Sequence, residues 1–111
     1  MTHQILSSAA LQGEAFNLDG KVFSIEGVLI VSGESAYVDI SVVGLPTRIP
    51  INDATLMERL LNEVPCYLGG EFLYRDSTRL VAMVEVRCDR DVVISKVESG
   101  VIFREGEVFA F

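Results

Sequence analysis

The sequence predicts a mainly β fold, a small barrel of five strands with one helix between the third strand and the fourth. The first observation is an alternation of apolar and polar residues in several segments, which is typical of strands that bury one face. The second is a helical repeat of apolar side chains over residues 53–64. The alternating segments are residues 21–31, 36–42, 47–51 and 66–88.

Length and composition set the scale of this fold. The chain has 111 residues, half of them hydrophobic, which is enough for one domain with its own core. We divide it into an N-terminal cap segment over 1–17, a barrel over 18–90 and a C-terminal strand extension over 91–111. Apolar residues recur with helical spacing in the cap segment, so we expect a short helix there.

The first strand begins after a turn at Asp19-Gly20. Gly27 lies inside this strand and predicts a bulge or a sharp bend, because glycine weakens a regular strand. The alternation predicts which side chains point into the core. They are Phe23, Ile25, Leu29 and Val31, with Gly27 on the same face.

Two shorter strands and the helix follow. The inward face of the second strand is predicted to be Ala36, Val38, Ile40 and Val42. The third strand spans residues 47–51, where Pro50 predicts a strand end or a sheet edge. Asp53 is interpreted as the helix N-cap and Pro65 as the residue that ends the helix. The apolar stripe of the helix consists of Leu56, Met57, Leu60, Leu61 and Val64.

Residues 66–88 predict one long hairpin that turns at Asp76-Ser77-Thr78. With Ser77 at the centre of the turn, one face of the hairpin is wholly apolar. Its pairs are Tyr74 with Leu80, Phe72 with Ala82, Gly70 with Val84 and Leu68 with Val86. The same register places Cys66 opposite Cys88, within reach of a disulfide, and we expect two neighbouring but reduced thiols.

The last 20 residues predict three short strands beyond the barrel. These are residues 92–97, 101–104 and 108–111, separated by turns at Glu98-Ser99-Gly100 and Glu105-Gly106. A five-stranded barrel does not need them, and apolar edge strands usually require cover. We therefore expect a homodimer or a partner-bound subunit; the alternative is that this tail folds back on its own barrel.

The net charge of −7 bears on the class of partner. Proteins that bind nucleic acid usually concentrate positive charge, so this balance disfavours nucleic acid without excluding it, and it favours a basic protein partner. No positively charged leader and no long apolar run is visible, so we expect a cytoplasmic protein without a membrane segment. A chain whose leader had been removed would look the same.

Two segments are similar to strands of the oligonucleotide/oligosaccharide-binding (OB) fold. The run Leu18-Asp19-Gly20-Lys21-Val22-Phe23-Ser24-Ile25-Glu26-Gly27-Val28 resembles its first strand, and Tyr67-Leu68-Gly69-Gly70-Glu71-Phe72 resembles its fourth. The resemblance covers about residues 18–88. It implies a partly open Greek-key barrel whose ligand face lies on the second and third strands. The residues expected on or near that face are Tyr37, Asp39, Arg48, Tyr67 and Arg75.

No catalytic, metal or cofactor site is predicted. His3, the only histidine, lies in the N-terminal segment, so neither a nucleophile–histidine pair nor a zinc site with Cys66 and Cys88 is expected. Asp89 and Asp91 are interpreted as acids of a solvated turn. The sequence therefore predicts a non-enzymatic binding module for another protein, of which an immunity or inhibitor role against a basic toxin is one version. The alternative is a single-stranded nucleic-acid binder, supported by the tyrosines and arginines of the expected face.

Overall fold

One antiparallel sheet and one helix make up the described part of the chain. The structure is a computed structural model that describes residues 19–33, 35–40, 48–66, 70, 72–87 and 92–111. The strands are β1 (Val22–Val31), β2 (Ala36–Asp39), β3 (Arg48–Pro50), β4 (Tyr74–Val86), β5 (Val92–Arg104) and β6 (Glu107–Ala110); helix α1 (Leu56–Glu63) lies between β3 and β4. The mainly β prediction is therefore confirmed. Predictions that lie outside the described residues concern residues 1–17 with His3, and Val42, Tyr67, Leu68, Cys88, Asp89 and Asp91.

The six strands of this sheet follow the order β3-β2-β1-β4-β5-β6. β1 is central and pairs with β4 over its whole length, whereas only its second half pairs with β2. Just beyond β3, Ile51 forms a parallel bridge with Ile94 of β5, and Asn52 N–H donates to the Ile94 carbonyl at 2.8 Å. The sheet therefore curls enough to bring the end of β3 against β5.

Gly27 allows β1 and β2 to approach each other. A Cβ built on it would lie 2.4 Å from the backbone oxygen of Asp39, closer than a carbon and an oxygen that are not bonded can come. The register between β1 and β4 runs through Gly27 without interruption, so the structure shows a close approach there and not a bulge.

The core lies between the inner face of the sheet and the helix. The predicted inward residues of β1 are all buried: Phe23, Ile25, Leu29 and Val31. On the helix, Leu56, Leu60 and Val64 are buried, but Leu61 is 54% exposed, so its place in the predicted stripe was wrong. Residues spaced by four lie on one side of a helix, and Leu61 is turned away from that side. No helix in the described ranges is long and apolar enough to cross a membrane.

The start of the helix differs from the prediction. Thr55, not Asp53, is the N-cap residue, and it makes no side-chain cap bond. Asp53 Oδ1 instead accepts hydrogen bonds from the backbone N–H and the hydroxyl of Thr55, while Oδ2 accepts the Val97 N–H at 2.8 Å. The carboxylate thus ties the entry of α1 to β5.

The predicted hairpin at Asp76-Ser77-Thr78 was wrong. β4 continues straight through these residues, and Ser77 pairs with Val28 on one side and with Phe103 on the other. The hairpin register from which Cys66 and Cys88 were expected to be neighbours is therefore wrong; Cys66 is a free thiol, and Cys88 lies outside the described residues. The predicted inward face of β4 was nevertheless correct: Tyr74, Leu80, Ala82 and Val84 are buried, and Val86 is half-buried.

The tail also differs from the prediction. The predicted turn at Glu98-Ser99-Gly100 lies inside the continuous strand β5, which bulges because Glu98 and Ser95 are extra residues relative to β4. The turn at Glu105-Gly106 is confirmed, with positive φ at both residues. β5 pairs with β4 of the same chain, so for this strand the alternative expectation, that the tail folds back on its own sheet, is the correct one.

Polar contacts fasten both ends of the helix to the sheet. At its C-terminal end, the buried Tyr74 hydroxyl donates to the Val64 carbonyl at 2.8 Å, and Arg104 donates to the Pro65 carbonyl at 2.7 Å. Near its N-terminal end, the Arg59 guanidinium donates to the carbonyls of Val97 and Glu98, where β5 bulges. The helix therefore holds a fixed position beneath the sheet.

Candidate binding face on the outer side of the sheet

Side chains that point away from the helix form the outer face of the sheet. Cross-strand neighbours in an antiparallel sheet share a face, so the register gives this surface row by row. One row crosses all six strands: Arg48, Asp39, Val28, Ser77, Phe103 and Val108. The adjacent row crosses four strands: Pro50, Tyr37, Ile30 and Arg75. A third row holds Glu26, Arg79, Val101 and Ala110.

The middle of this surface is apolar. Ile30 is only 8% exposed although it points away from the helix, and Val28 is half-buried. Their register neighbours are Tyr37 and Asp39 on β2 and Arg75 on β4. An apolar centre is thus flanked by polar and aromatic side chains. We call Val28, Ile30, Tyr37, Asp39, Arg48 and Arg75 the binding face.

Arginines stack on aromatic rings at both sides of the binding face. The Arg48 guanidinium carbon lies 5.1 Å from the centroid of the Tyr37 ring, and that of Arg75 lies 5.9 Å from the Phe72 ring. Both distances fall in the range in which a cation is attracted to an aromatic face. The stacking holds the two guanidinium groups against the sheet while their N–H groups remain available for a ligand.

Charge is balanced differently here than in the whole chain. The three rows carry three arginines against two acids, Glu26 and Asp39, in a chain whose net charge is −7. The Glu26–Arg79 ion pair closes at 3.0 Å, but both side chains are about half exposed, so water screens it. The outer face therefore carries charges of both signs, with one more base than acids in these rows.

Most of the predicted site residues come together on this surface. Tyr37, Asp39 and Arg48 are neighbours, and Arg75 lies on the same face with Ile30 between it and Tyr37. Tyr67 lies outside the described residues. The sequence analysis missed the apolar centre, although the alternation in β1 that puts Leu29 inward requires its neighbours to point outward.

The titratable groups with clearly shifted pKa values lie away from the binding face. Burial raises the pKa of Tyr74, whose phenol serves as an anchor for the helix. For Asp53, burial is the largest single effect and raises the pKa, but the donors from Val97 and Thr55 and the charge of Arg59 together hold it below its usual value. Both groups have structural partners.

The described residues contain no group of three metal-ligating side chains close enough to share an ion. The binding face carries planar guanidinium donors, one carboxylate and an apolar centre. Comparison of the chain with protein-family models, with curated proteins and with solved structures found no match.

Proposed function

We propose that this chain is a non-enzymatic binding module that recognises another protein through the binding face. The observation that carries the proposal is the apolar centre of Val28 and Ile30 flanked by Tyr37 and two arginines. Protein interfaces have an apolar core inside a polar rim, and tyrosine and arginine are enriched among the residues that contribute most to binding.

The net charge indicates the kind of partner. A chain with sixteen acids and nine bases attracts a basic protein at long range and accelerates its association. Small size and acidity together suit an inhibitor or immunity protein that neutralises a basic toxin or nuclease. Asp39 is the acid within the binding face, so it is the residue we expect to meet a basic group of the partner.

Single-stranded nucleic acid is the second candidate function. The two arginine–aromatic stacks favour it, because bases stack on aromatic side chains and guanidinium groups bind phosphates. The overall charge and Asp39 oppose it, since both repel a phosphate backbone. For this reason a protein partner remains the first proposal.

The barrel of the OB fold is part of this proposal. Strands β3-β2-β1-β4-β5 follow one another in the sheet, and the Ile51–Ile94 bridge brings the first and the last of them together. Contact between the two ends of such a row is what closes a five-stranded barrel. The binding face would then lie on the outside of that barrel, on and beside its second and third strands.

The test compares two charge reversals of equal size. Asp39→Lys changes the binding face, and Glu58→Lys makes the same change on an exposed position of the helix. The immobilised wild-type chain captures proteins from cells that produce it, and calorimetry with the purified candidate partner then gives affinities. We expect Asp39→Lys to lose at least tenfold in affinity, about 1.4 kcal/mol, and Glu58→Lys to lose much less. Equal losses would mean that net charge alone governs the interaction.

A second measurement decides between protein and nucleic acid. Fluorescence anisotropy of a labelled single-stranded DNA is expected to show only non-specific binding near physiological salt. Sub-micromolar affinity that falls steeply with salt, and that disappears in Tyr37→Ala and Arg48→Ala, would replace the first proposal by the second.

A further inference from the structure

We infer that the outer edge of β6 is a dimerisation site at which a second copy of this chain adds its own β6 in antiparallel orientation. The two sheets would then join across a two-fold axis. This surface lies at the far end of the sheet from β2 and β3, and the inference does not depend on the proposed function.

The hydrogen bonds of β6 show which groups its outer edge presents. Gly100 N–H donates to the Phe111 carbonyl at 3.0 Å, and Phe111 N–H donates to the Gly100 carbonyl at 2.9 Å. Hydrogen-bonded pairs alternate with non-hydrogen-bonded pairs in an antiparallel ladder. Phe109 therefore also faces β5, whereas Val108 and Ala110 direct their N–H and C=O groups outward. No strand among the described residues pairs with that edge.

The edge lacks three of the features that usually prevent strand addition, although β6 is short, with four residues. Protective edge strands carry lysine, proline or a bulge. β6 has none of these, and its one charged residue is Glu107. Val108 is 60% exposed, and its neighbour Phe103 is 41% exposed. An apolar strip therefore runs along the open edge on the outer face.

Self-pairing of β6 has one register that uses all its outward groups. With the axis through Phe109, Val108 lies opposite Ala110 of the partner subunit, and symmetry gives two such pairs, one on each side of the axis. Each pair exchanges two backbone hydrogen bonds. Phe109 then lies opposite Phe109 of the partner subunit, and Glu107 lies opposite Phe111 of the partner subunit.

Charge complementarity favours a second copy as the occupant. The Arg59 guanidinium carbon lies 6.0 Å from the centroid of the Phe111 ring. Positions 107, 109 and 111 share the face on which the helix lies, so the proposed register brings Glu107 beside Arg59 of the partner subunit. Glu107 makes no ion pair within the described part of the chain. Two-fold symmetry repeats the contact, as an interface built from one self-complementary patch requires.

Salt distinguishes this occupant from a basic foreign strand. Two copies that each carry −7 repel at long range, so added salt should strengthen the dimer. Binding of a basic partner at the same edge would instead weaken with salt. We expect the mean molar mass, measured by light scattering over about 1–200 µM protein, to rise toward a dimer and to do so at lower concentration in high salt.

Two variants test the edge without removing an internal hydrogen bond. Ala110→Pro deletes an N–H that points outward, and Glu107→Arg places like charges at both ends of the interface. Each is expected to raise the dimer dissociation constant at least tenfold. Glu85→Arg is the matched control, because Glu85 is exposed and pairs with Val93 at the opposite end of β5. Circular dichroism verifies that all three variants fold.

A cysteine scan tests the register. Facing residues of a non-hydrogen-bonded pair lie about 4.5 Å apart at Cα, within disulfide range. Under mild oxidation, Phe109→Cys should give a covalent dimer, whereas Val108→Cys and the wild type should not. A strict monomer at the highest concentration and salt, or a dimer that tolerates both Ala110→Pro and Glu107→Arg, would overturn the inference.

Discussion

Breaking the ion pair between Asp76 and Arg104 is expected to destabilise the fold by about 3–5 kcal/mol. Arg104 Nε donates to Asp76 Oδ1 at 2.9 Å and Nη2 donates to Oδ2 at 2.7 Å, so the contact is bidentate. The side chains are 3% and 14% exposed. Because both groups are withdrawn from water, removing one leaves the other as a buried charge that has lost its bidentate partner.

Arg104→Met is the informative change, since methionine replaces most of the apolar stem. It removes both of the donors above and the bond from Nη1 to the Pro65 carbonyl. A domain of this size loses roughly 4 °C of melting temperature per kcal/mol, so the midpoint should fall by about 12–20 °C. The expected loss of about 3–5 kcal/mol is a large part of the roughly 5–15 kcal/mol that stabilises an ordinary domain.

Urea unfolding provides the assay, with Arg79→Met as the matched control. The Arg79–Glu26 pair has a similar 3.0 Å separation, but its side chains are 56% and 49% exposed. Exposed pairs contribute about 0.2–1 kcal/mol, so the same substitution should barely move the urea midpoint there. The double variant Asp76→Leu with Arg104→Met should cost much less than the sum of the single variants, because it leaves no charge buried.

Two results would refute this reasoning. One is a cost for Arg104→Met that equals the cost for Arg79→Met, since burial would then have no effect. The other is a double variant whose cost equals the sum, since the two groups would then act independently.

Three further predictions concern single residues. Tyr74→Phe should cost about 1 kcal/mol in urea unfolding by losing one buried hydrogen bond; since burial raises the pKa of Tyr74 above 10.0, the wild type should also lose stability as pH rises through that higher value, and the variant should not. Gly27→Ala should destabilise the protein by at least about 1–3 kcal/mol, whereas Gly33→Ala, with open space around its Cβ, should be nearly neutral. Asp53→Ala should destabilise the protein at neutral pH. Because folding lowers the pKa of Asp53, its carboxylate stabilises the fold fully above the unfolded pKa of 3.8, and this stabilisation disappears as pH falls through the folded pKa. The urea midpoints of the wild type and the variant should therefore converge in acid.

Alternation along the sequence predicted those parts of the fold that depend on local pattern. The inward faces of β1 and β2 follow from a period of two, because a one-residue slip would turn every buried side chain toward solvent. The buried positions of β4 follow for the same reason, even though the predicted hairpin was wrong. The alternation of inward and outward positions stays the same when one strand is mistaken for two.

The hairpin was wrong because residues typical of turns found distant partners. Asp76 pairs with Arg104, and the Thr78 hydroxyl donates to the Val101 carbonyl at 2.8 Å. These partners lie 28 and 23 positions away, and composition alone gives no indication of them. Gly100 misled in the same way: it provides space for the Phe111 ring, whose Cζ would lie 2.3 Å from an added Cβ.

The candidate site was predictable to the extent that it depends on which residues of a strand point outward and on which strands pair. The OB resemblance placed Tyr37 and Arg48 on one face, and the register of β2 and β3 brings their side chains together. Arg75 was also expected near that face, but the predicted hairpin would have paired it within residues 66–88, whereas it pairs with Ile30 of β1. Long-range pairing thus decides which outward residues become neighbours.

The two halves of β1 differ on the outer face in a way that core formation does not explain. Before Gly27 the outward positions include Ser24 and Glu26, whereas after it they are Val28 and Ile30. A strand that buries only its inner face needs polar residues at these outward positions. The change occurs where β1 acquires β2 as a second neighbour. Ile30 is already only 8% exposed, so neighbouring groups of the chain cover it from the outer side, whereas Val28 is half-buried and keeps part of its apolar surface open there.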